Sequence, residues 1–221
     1  MKAKHFLKDD MCGGYGNEPA WTLGEERDIG DDNLELCSRG YHSSPSWYDA
    51  LNYAQGSMAC IVEVSKPVQK DNTKQVSRKR KLIKVRNAEK ALRAWDCDCA
   101  ERALKKAKVT DERSWNAIKV ARLFNNGEAT KEDLAAARAV AWDAARATRA
   151  AAWATRAAWD AALAAARDAM DAARDADWAA AWDAARDAAR DAARAAAWDA
   201  EVKWQKRHLN KLMNIEFSKG G

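Results

Sequence analysis

From Glu128 to Lys219 the chain contains neither glycine nor proline. All three prolines (Pro19, Pro45, Pro67) and seven of the ten glycines fall within the first 70 residues. Residues that force turns are thus concentrated at one end, and the long remainder offers no strong place to stop a helix. No run of 18 apolar residues occurs, because Arg or Asp interrupts every alanine stretch, which argues against a membrane-spanning helix. The opening MKAKHFLKDDMCGG lacks the apolar core of a secretory signal, so a cytoplasmic chain is expected. The five cysteines (Cys12, Cys37, Cys60, Cys97, Cys99) are an odd number without paired CxxC spacing. Reduced thiols are expected rather than a disulfide framework.

What is present points to a folded chain. Apolar residues make up 48% and tryptophans number eleven, yet the mean hydropathy is −0.63. Alanine explains the contrast, since it counts as apolar but contributes little buried area. Thirty-eight basic and 33 acidic residues give a formal charge of +5. A dense but nearly balanced surface suits solubility and helix-surface pairing more than counterion-driven DNA binding.

Two grammars divide the sequence near residue 88. Residues 1–87 read as a small α+β domain, and residues 88–221 as an alanine-rich helical domain, so the fold class is α+β. In the first part, Met58 to Val64 reads as a strand between Gly56 and Pro67, and Lys81 to Arg86 as a second. SPSWYDALNYA, from Ser44, reads as a short helix with Ser46 as N-cap and Ala50, Leu51 and Ala54 inward.

In the second part, Asn87 caps a helix with a stripe of Leu92, Trp95, Cys99 and Leu104, Cys97 falling to one side. Thr110 or Asp111 caps the next helix, which turns Trp115, Ile118 and Leu123 inward and stops at NNG, residues 125–127. Thr130 with Asp133 resembles a capping box. Helix then runs to about Met213. A single rod of some eighty residues would extend about 120 Å and leave its tryptophans in water. The 131–213 region is therefore expected to fold back, with breaks around 148–152 and 175–177.

In DAARDAARDAARAAAWDA (183–200), Asp183, Asp187 and Asp191 each precede an arginine (Arg186, Arg190, Arg194) by three. On a helix these six span an arc of roughly 140°, and the rest of the surface is alanine, which lets two helices approach closely. Each exposed pair is worth about 0.2–0.5 kcal/mol, enough to support a helix but not to specify a ligand. Trp142, Trp153, Trp178 and Trp182 share a spacing expected of a buried seam. Trp198 falls on the charged stripe four residues after Arg194, where guanidinium can stack on indole. These two residues are candidate ligand contacts.

Two resemblances follow. KHFLKDDMCGGYG (Lys4 to Gly16), LCSRGYHSSPSWYDALNYA (Leu36 to Ala54) and CIVEV (Cys60 to Val64) resemble a domain of unknown function in phage and bacterial proteins. LRAWDCDCAERAL (Leu92 to Leu104), DERSWNAIKVARLFNNGEA (Asp111 to Ala129) and LAAARAVAWDAARA resemble a helical domain named as an immunity protein from its genomic context. This chain departs from the latter by its longer Ala-Arg-Asp extension. The resemblances imply a non-enzymatic binding protein of a phage or bacterial accessory locus, with a role in defence or counter-defence. It would take a partner protein or a small anionic ligand, and it could form an oligomer.

Chemistry-bearing residues in the first part gather around Cys37, Tyr41, His42, Ser43, Ser44 and Glu63, with Tyr53 on the short helix between them. Tyr41, His42 and Tyr53 are candidate ligand contacts; His42, Ser44, Glu63 and Cys37 are the candidates for catalysis. The segment is loosely similar to ADP-ribosyltransferases, which use a His or Tyr to orient the NAD ribose and a Glu to polarise it. That alternative requires Glu63 to face the cleft of His42, whereas strand alternation also allows it to be solvated. A Cys37–His42 pair lacks an identifiable third group. The spacing of Cys12, Cys37, His42 and Cys60 matches no zinc finger, so neither metal nor cofactor is expected. RKRKLIKVR, from Arg78 to Arg86, is the densest basic run. Arg78, Lys79, Arg80 and Lys81 would carry a nucleic-acid contact, set against the commoner reading of a strand edge guarded by charge.

Overall fold

The computed structural model describes residues 1–13, 18–30, 33–141, 143 and 176–219, and of residues 176–195 the backbone. The fold is α+β. Strands and one short helix occupy the first part: β1 (Lys2–Leu7), β2 (Glu26–Asp28), β3 (Tyr41–Ser43), α1 (Trp47–Leu51), β4 (Met58–Val64), β5 (Pro67–Lys70), β6 (Gln75–Ser77) and β7 (Lys79–Asn87). Helices follow: α2 (Glu89–Lys106), α3 (Glu112–Asn126), α4 (131–141) and α5 (Ala176–Ser218).

The strands form two antiparallel sheets, one ordered β1-β4-β7-β2 and one ordered β3-β6-β5. Reciprocal backbone hydrogen bonds of 2.8 Å between Lys4 and Ser44 tie the end of β3 to β1 at the edge of the larger sheet. Strand periodicity sends Ala3 and Leu7 of β1 to one sheet face and Phe6 to the other. Ala3 and Leu7 join Trp21, Cys60, Val62, Val64 and Leu82 in one core cluster. The pairing of β4 with β7 shifts at Ile61/Val62, which face Lys84 and Leu82, so Ile83 is the extra residue of a bulge. The bulge resets the alternation, and Leu82 and Val85 consequently pack on the same cluster.

Several local expectations hold. Met58–Val64 is a strand, and the second strand is longer than expected, at Lys79–Asn87. Ser46 caps α1 by accepting the Asp49 amide, and Asn87 Oδ1 accepts the Glu89 amide at the start of α2. Asp111 caps α3, which ends at Gly127 with φ 83°. That left-handed conformation suits glycine because it lacks a Cβ. Thr130 and Asp133 form the reciprocal capping box, with each side chain accepting the other residue's amide. On α2, however, Cys97 is the buried residue and Cys99 only half-buried, the reverse of the expected stripe.

The chain divides into two compact units, residues 1–96 with 203–221, and residues 97–202. The expected division into 1–87 and 88–221 thus leaves out the docking of the C-terminal segment. Leu209, Met213 and Phe217, four residues apart on α5, enter the core that contains Phe6, Trp47, Ala50 and Ala59. Phe217 stacks on Trp47 with ring centres 5.0 Å apart. Lys206 Nζ donates to the buried Asp49 carboxylate at 2.8 Å, and Asn210 Oδ1 accepts the Trp47 amide.

In the second unit, Arg122 pairs with both Asp98 and Glu101, joining α3 to α2, while Arg102 and Lys106 both pair with Glu201. The expected breaks at 148–152 and 175–177 reach into residues outside the described ones, as does the Trp142 and Trp153 part of the aromatic seam. No helix among the described residues is long and apolar enough to cross a membrane.

Candidate functional site: a cationic cleft

A cleft of about 760 Å³ opens in the first unit, lined by Lys4 to Phe6, Glu18, Ile29, Cys37, Ser38, Gly40 to Ser44, Ala50, Tyr53, Lys74 and Arg80. Its size is that of small-molecule sites. The edge strand β1, the turn leading into β3 with β3 itself, α1, the turn between β5 and β6, and the start of β7 all contribute to it.

Arg80 is a buried cation of the wall, with 4% of its side chain exposed. Alternation along β7 buries it, like Leu82, while Lys79 stays exposed. Its guanidinium carbon lies 4.4 Å from the centre of the Trp21 ring and 4.8 Å from that of Tyr41. Aromatic contacts of this kind fix a planar cation without using its N–H groups. Those groups act at the edge: Nη1 donates to His5 Nε2 at 3.2 Å and to the His42 carbonyl at 3.4 Å. Nη2 meets the two Glu18 carboxylate oxygens at 3.3 and 3.4 Å.

Both cleft histidines favour the neutral form. Burial pushes His5 well below its usual pKa, and the Arg80 charge and then His42 add to this. Burial also lowers His42, with the charges of Lys74 and Arg80 acting in the same sense against a backbone hydrogen bond to Gly40. His42 Nε2 accepts the Cys37 amide at 3.0 Å, so the ring clamps the 35–39 turn. Cys37 sits there at φ 75°, a left-handed conformation that is strained for a residue with a side chain. Gly40, at φ 125°, has no space for a Cβ beside Val76.

The cleft mouth carries two more cations. An Asx turn, in which Asp71 Oδ1 accepts the amides of Thr73 and Lys74, presents Lys74. Its ammonium lies 4.5 Å from the centre of the Tyr53 ring, and a hydrogen bond with the Cys37 side chain is the main cause of its raised pKa. The Tyr53 hydroxyl in turn meets Thr73 Oγ1 at 2.8 Å. Lys4 places its ammonium 4.9 Å from the centre of the Trp47 ring, and burial, followed by Lys2, lowers its pKa.

Of the residues singled out in the sequence, Cys37, Tyr41, His42, Ser44 and Tyr53 come together in this cleft. Glu63 does not. It is exposed on β4, opposite Lys2 and Lys81, and outside the cleft lining. The pairing of His42 with Glu63 in one cleft therefore does not form, for the reason alternation had already allowed. A Cys37–His42 nucleophile–base pair is likewise not set up, because the Nε2 lone pair is taken by the Cys37 amide. Ser44 is buried and engaged through its backbone with Lys4.

The basic run is split rather than continuous. Arg78 and Lys79 both pair with Asp28 at 3.0 Å, Arg80 points inward, and Lys81 stands in register between Glu26 and Glu63. Of the four residues expected to make one nucleic-acid surface, Arg78 and Lys79 thus share Asp28, while Arg80 and Lys81 face other neighbours. Trp198 on α5 is 71% exposed, and the Arg194 side chain lies outside the described residues.

Lys4, His5, Glu18 and Lys74 are cleft residues that the sequence does not single out. For Lys4 and His5 the signal lies in KAKHFL, which forms β1; Glu18 and Lys74 lie outside the strands. Among the described residues, no group of three or more His, Cys, Asp or Glu side chains is placed to hold a metal ion. No family model, curated protein or solved structure matches the chain.

Proposed function

We propose that the protein is a binding protein whose first unit takes up a small anionic ligand in the cleft. The observation that carries this reading is the buried, aromatic-clamped Arg80 in a wall that also bears Lys4 and Lys74. Against these three cations stands, among the described residues, one lining carboxylate, Glu18. Since both histidines favour the neutral form, the cleft is net positive, and low-dielectric walls concentrate such a field on an entering anion. A planar guanidinium suits a carboxylate or phosphate, and the stacking that holds it in place limits the cost of ordering it on binding. The resemblances read from the sequence would set this binding in an accessory locus of a phage or bacterium, in defence or counter-defence.

The test is calorimetric titration of the full chain with pyrophosphate, a nucleoside diphosphate and citrate, with glucose as the uncharged control. Saturable binding of at least one anion is expected, weakened about ten-fold in Lys74→Ala through loss of a charge-assisted contact. Failure of every anion to bind would overturn the proposal.

A second reading rests on Trp198, whose exposure on α5 offers an aromatic contact for a protein partner. Its test is loss of an isolated partner in Trp198→Ala, with the helix content of the chain unchanged.

A further inference from the structure

The Arg80 guanidinium lies against the Trp21 and Tyr41 rings, and its N–H edge is the part that meets an anion. The Nη1 side of that edge is used by His5 and the His42 carbonyl. The Nη2 side is held by Glu18, which itself lines the cleft. Its contacts of 3.3 and 3.4 Å are long beside the 2.7–2.9 Å typical of a guanidinium–carboxylate pair. Among the described residues, no other carboxylate lies within ion-pair distance of Arg80. The second guanidinium near Glu18, that of Arg27, is 3.6 Å away and is better served by Glu25 at 2.5 Å and by the carbonyls of Pro19 and Ala20.

We infer that the position of the Glu18 carboxylate is the anion subsite of the cleft, and that Glu18 is its built-in competitor. The inference rests on the anion binding proposed above and deepens it. A ligand phosphate or carboxylate takes the Nη2 edge of Arg80 and displaces the Glu18 carboxylate toward solvent. Glu18 is suited to leave: its side chain is 23% exposed, whereas that of Arg80 is 4% exposed. Apparent affinity is then reduced by the fraction of molecules in which Glu18 occupies the subsite. Weakly held anions then leave the subsite to Glu18 unless they are in excess.

A second handle on Glu18 lies in Gly13. A Cβ at this position would overlap the Glu18 carboxylate group, and the backbone at Gly13 does not need the left-handed region. Gly13→Ala therefore sets a methyl where the Glu18 carboxylate now lies, which blocks the subsite without changing any charge. Glu18→Gln removes the competing charge, while Glu25→Gln makes the same change in net charge on a residue outside the cleft lining.

The experiment is titration of the full-length wild type and these three variants with inorganic pyrophosphate and, in a parallel arm, with citrate, which separates phosphate from carboxylate ligands. Thermal melts establish that each variant is folded. Glu18→Gln is expected to bind at least one probe about five-fold or more tightly than wild type, Glu25→Gln no more tightly, and Gly13→Ala more weakly. Binding that persists in the wild type but is not tightened in Glu18→Gln, or is not weakened in Gly13→Ala, would overturn the subsite while leaving the anion cleft standing. Equal tightening in Glu18→Gln and Glu25→Gln would reduce the effect to net charge and also overturn it. Binding of neither probe by any of the four proteins would remove the anion cleft itself.

Discussion

The Arg80 guanidinium carbon stands 4.4 Å from the centre of the Trp21 ring, and Arg27 stands 4.1 Å from the same centre. One indole thus contacts two cations, of which only Arg80 reaches into the cleft lining. The arrangement explains how a charge so deeply placed is kept: aromatic faces stabilise it laterally, and Glu18 offsets it at the edge.

Replacing that charge should be costly. Arg80→Met leaves Glu18 and His5 without their shared partner and removes both cation–aromatic contacts. A loss of about 2–4 kcal/mol is expected, below the full cost of breaking a wholly buried pair because Glu18 is partly solvated. Urea denaturation measures it. A change within about 0.5 kcal/mol, as for an ordinary surface substitution, would contradict the buried-anchor account.

The histidines give the first unit an acid sensitivity of defined sign. His5 and His42 are lowered in the folded state from a usual 6.5, so the unfolded chain binds more protons below that value. Their contribution is fully present above pH 6.5 and is lost as the pH falls from there through their lowered folded values. Carboxylates act in a separate window: Glu25, lowered to about 2 chiefly by Arg27, loses its contribution only below its usual 4.5. Urea midpoints measured from about pH 8 to about pH 5 should fall on the acid side, and His5→Asn should flatten the fall. A midpoint that rises on acidification would contradict the neutral histidines.

The C-terminal helix should prove integral to the first unit. Met213 is fully buried among Phe6, Trp47 and Ala59, so Met213→Ala is expected to cost about 2–5 kcal/mol. The same denaturation measurement checks it. A neutral result would mean that α5 does not complete this core.

Thiol reactivity should follow exposure. Cys37 is exposed, whereas Cys97 is buried and burial pushes the Cys60 thiol up to about 12. Mass spectrometry of a labelling time course with a small alkylating reagent should show Cys37 modified first, and Cys60 and Cys97 only after denaturation. Early modification of Cys60 would contradict the packing of β4.

The strongest local signals in the sequence were the ones that depend on near neighbours. Ser46, Asp111, Gly127 and the Thr130–Asp133 box act within a few residues, and their physics is complete at that range. Met58–Val64 was legible because Gly56 and Pro67 bound it. What was not legible depends on distant partners. Nothing near Arg80 distinguishes it from Lys79 until β7 is paired and its inward face meets Trp21, almost 60 residues earlier in the chain. Likewise the spacing of Leu209, Met213 and Phe217 announces a helix face, but not that Trp47 will cover it. In the cleft, Tyr41, His42 and Tyr53 stood out by residue type. Glu18 and Lys74 did not, because a charged residue in a turn reads as solvated until the fold brings it to a cavity. Glu63 was the converse, a suitable residue type that alternation turned outward.

The most direct measurement is an NMR titration of the full chain with pyrophosphate, following the histidine ring signals and the arginine Nε–H resonances. The anion-cleft account expects saturable shifts at His5, His42 and one arginine, assigned to Arg80 by its loss in Arg80→Lys. His208, stacked on Trp204 and outside the cleft lining, should stay in place. Saturable shifts confined to His208, or none at any histidine up to millimolar anion, would contradict it.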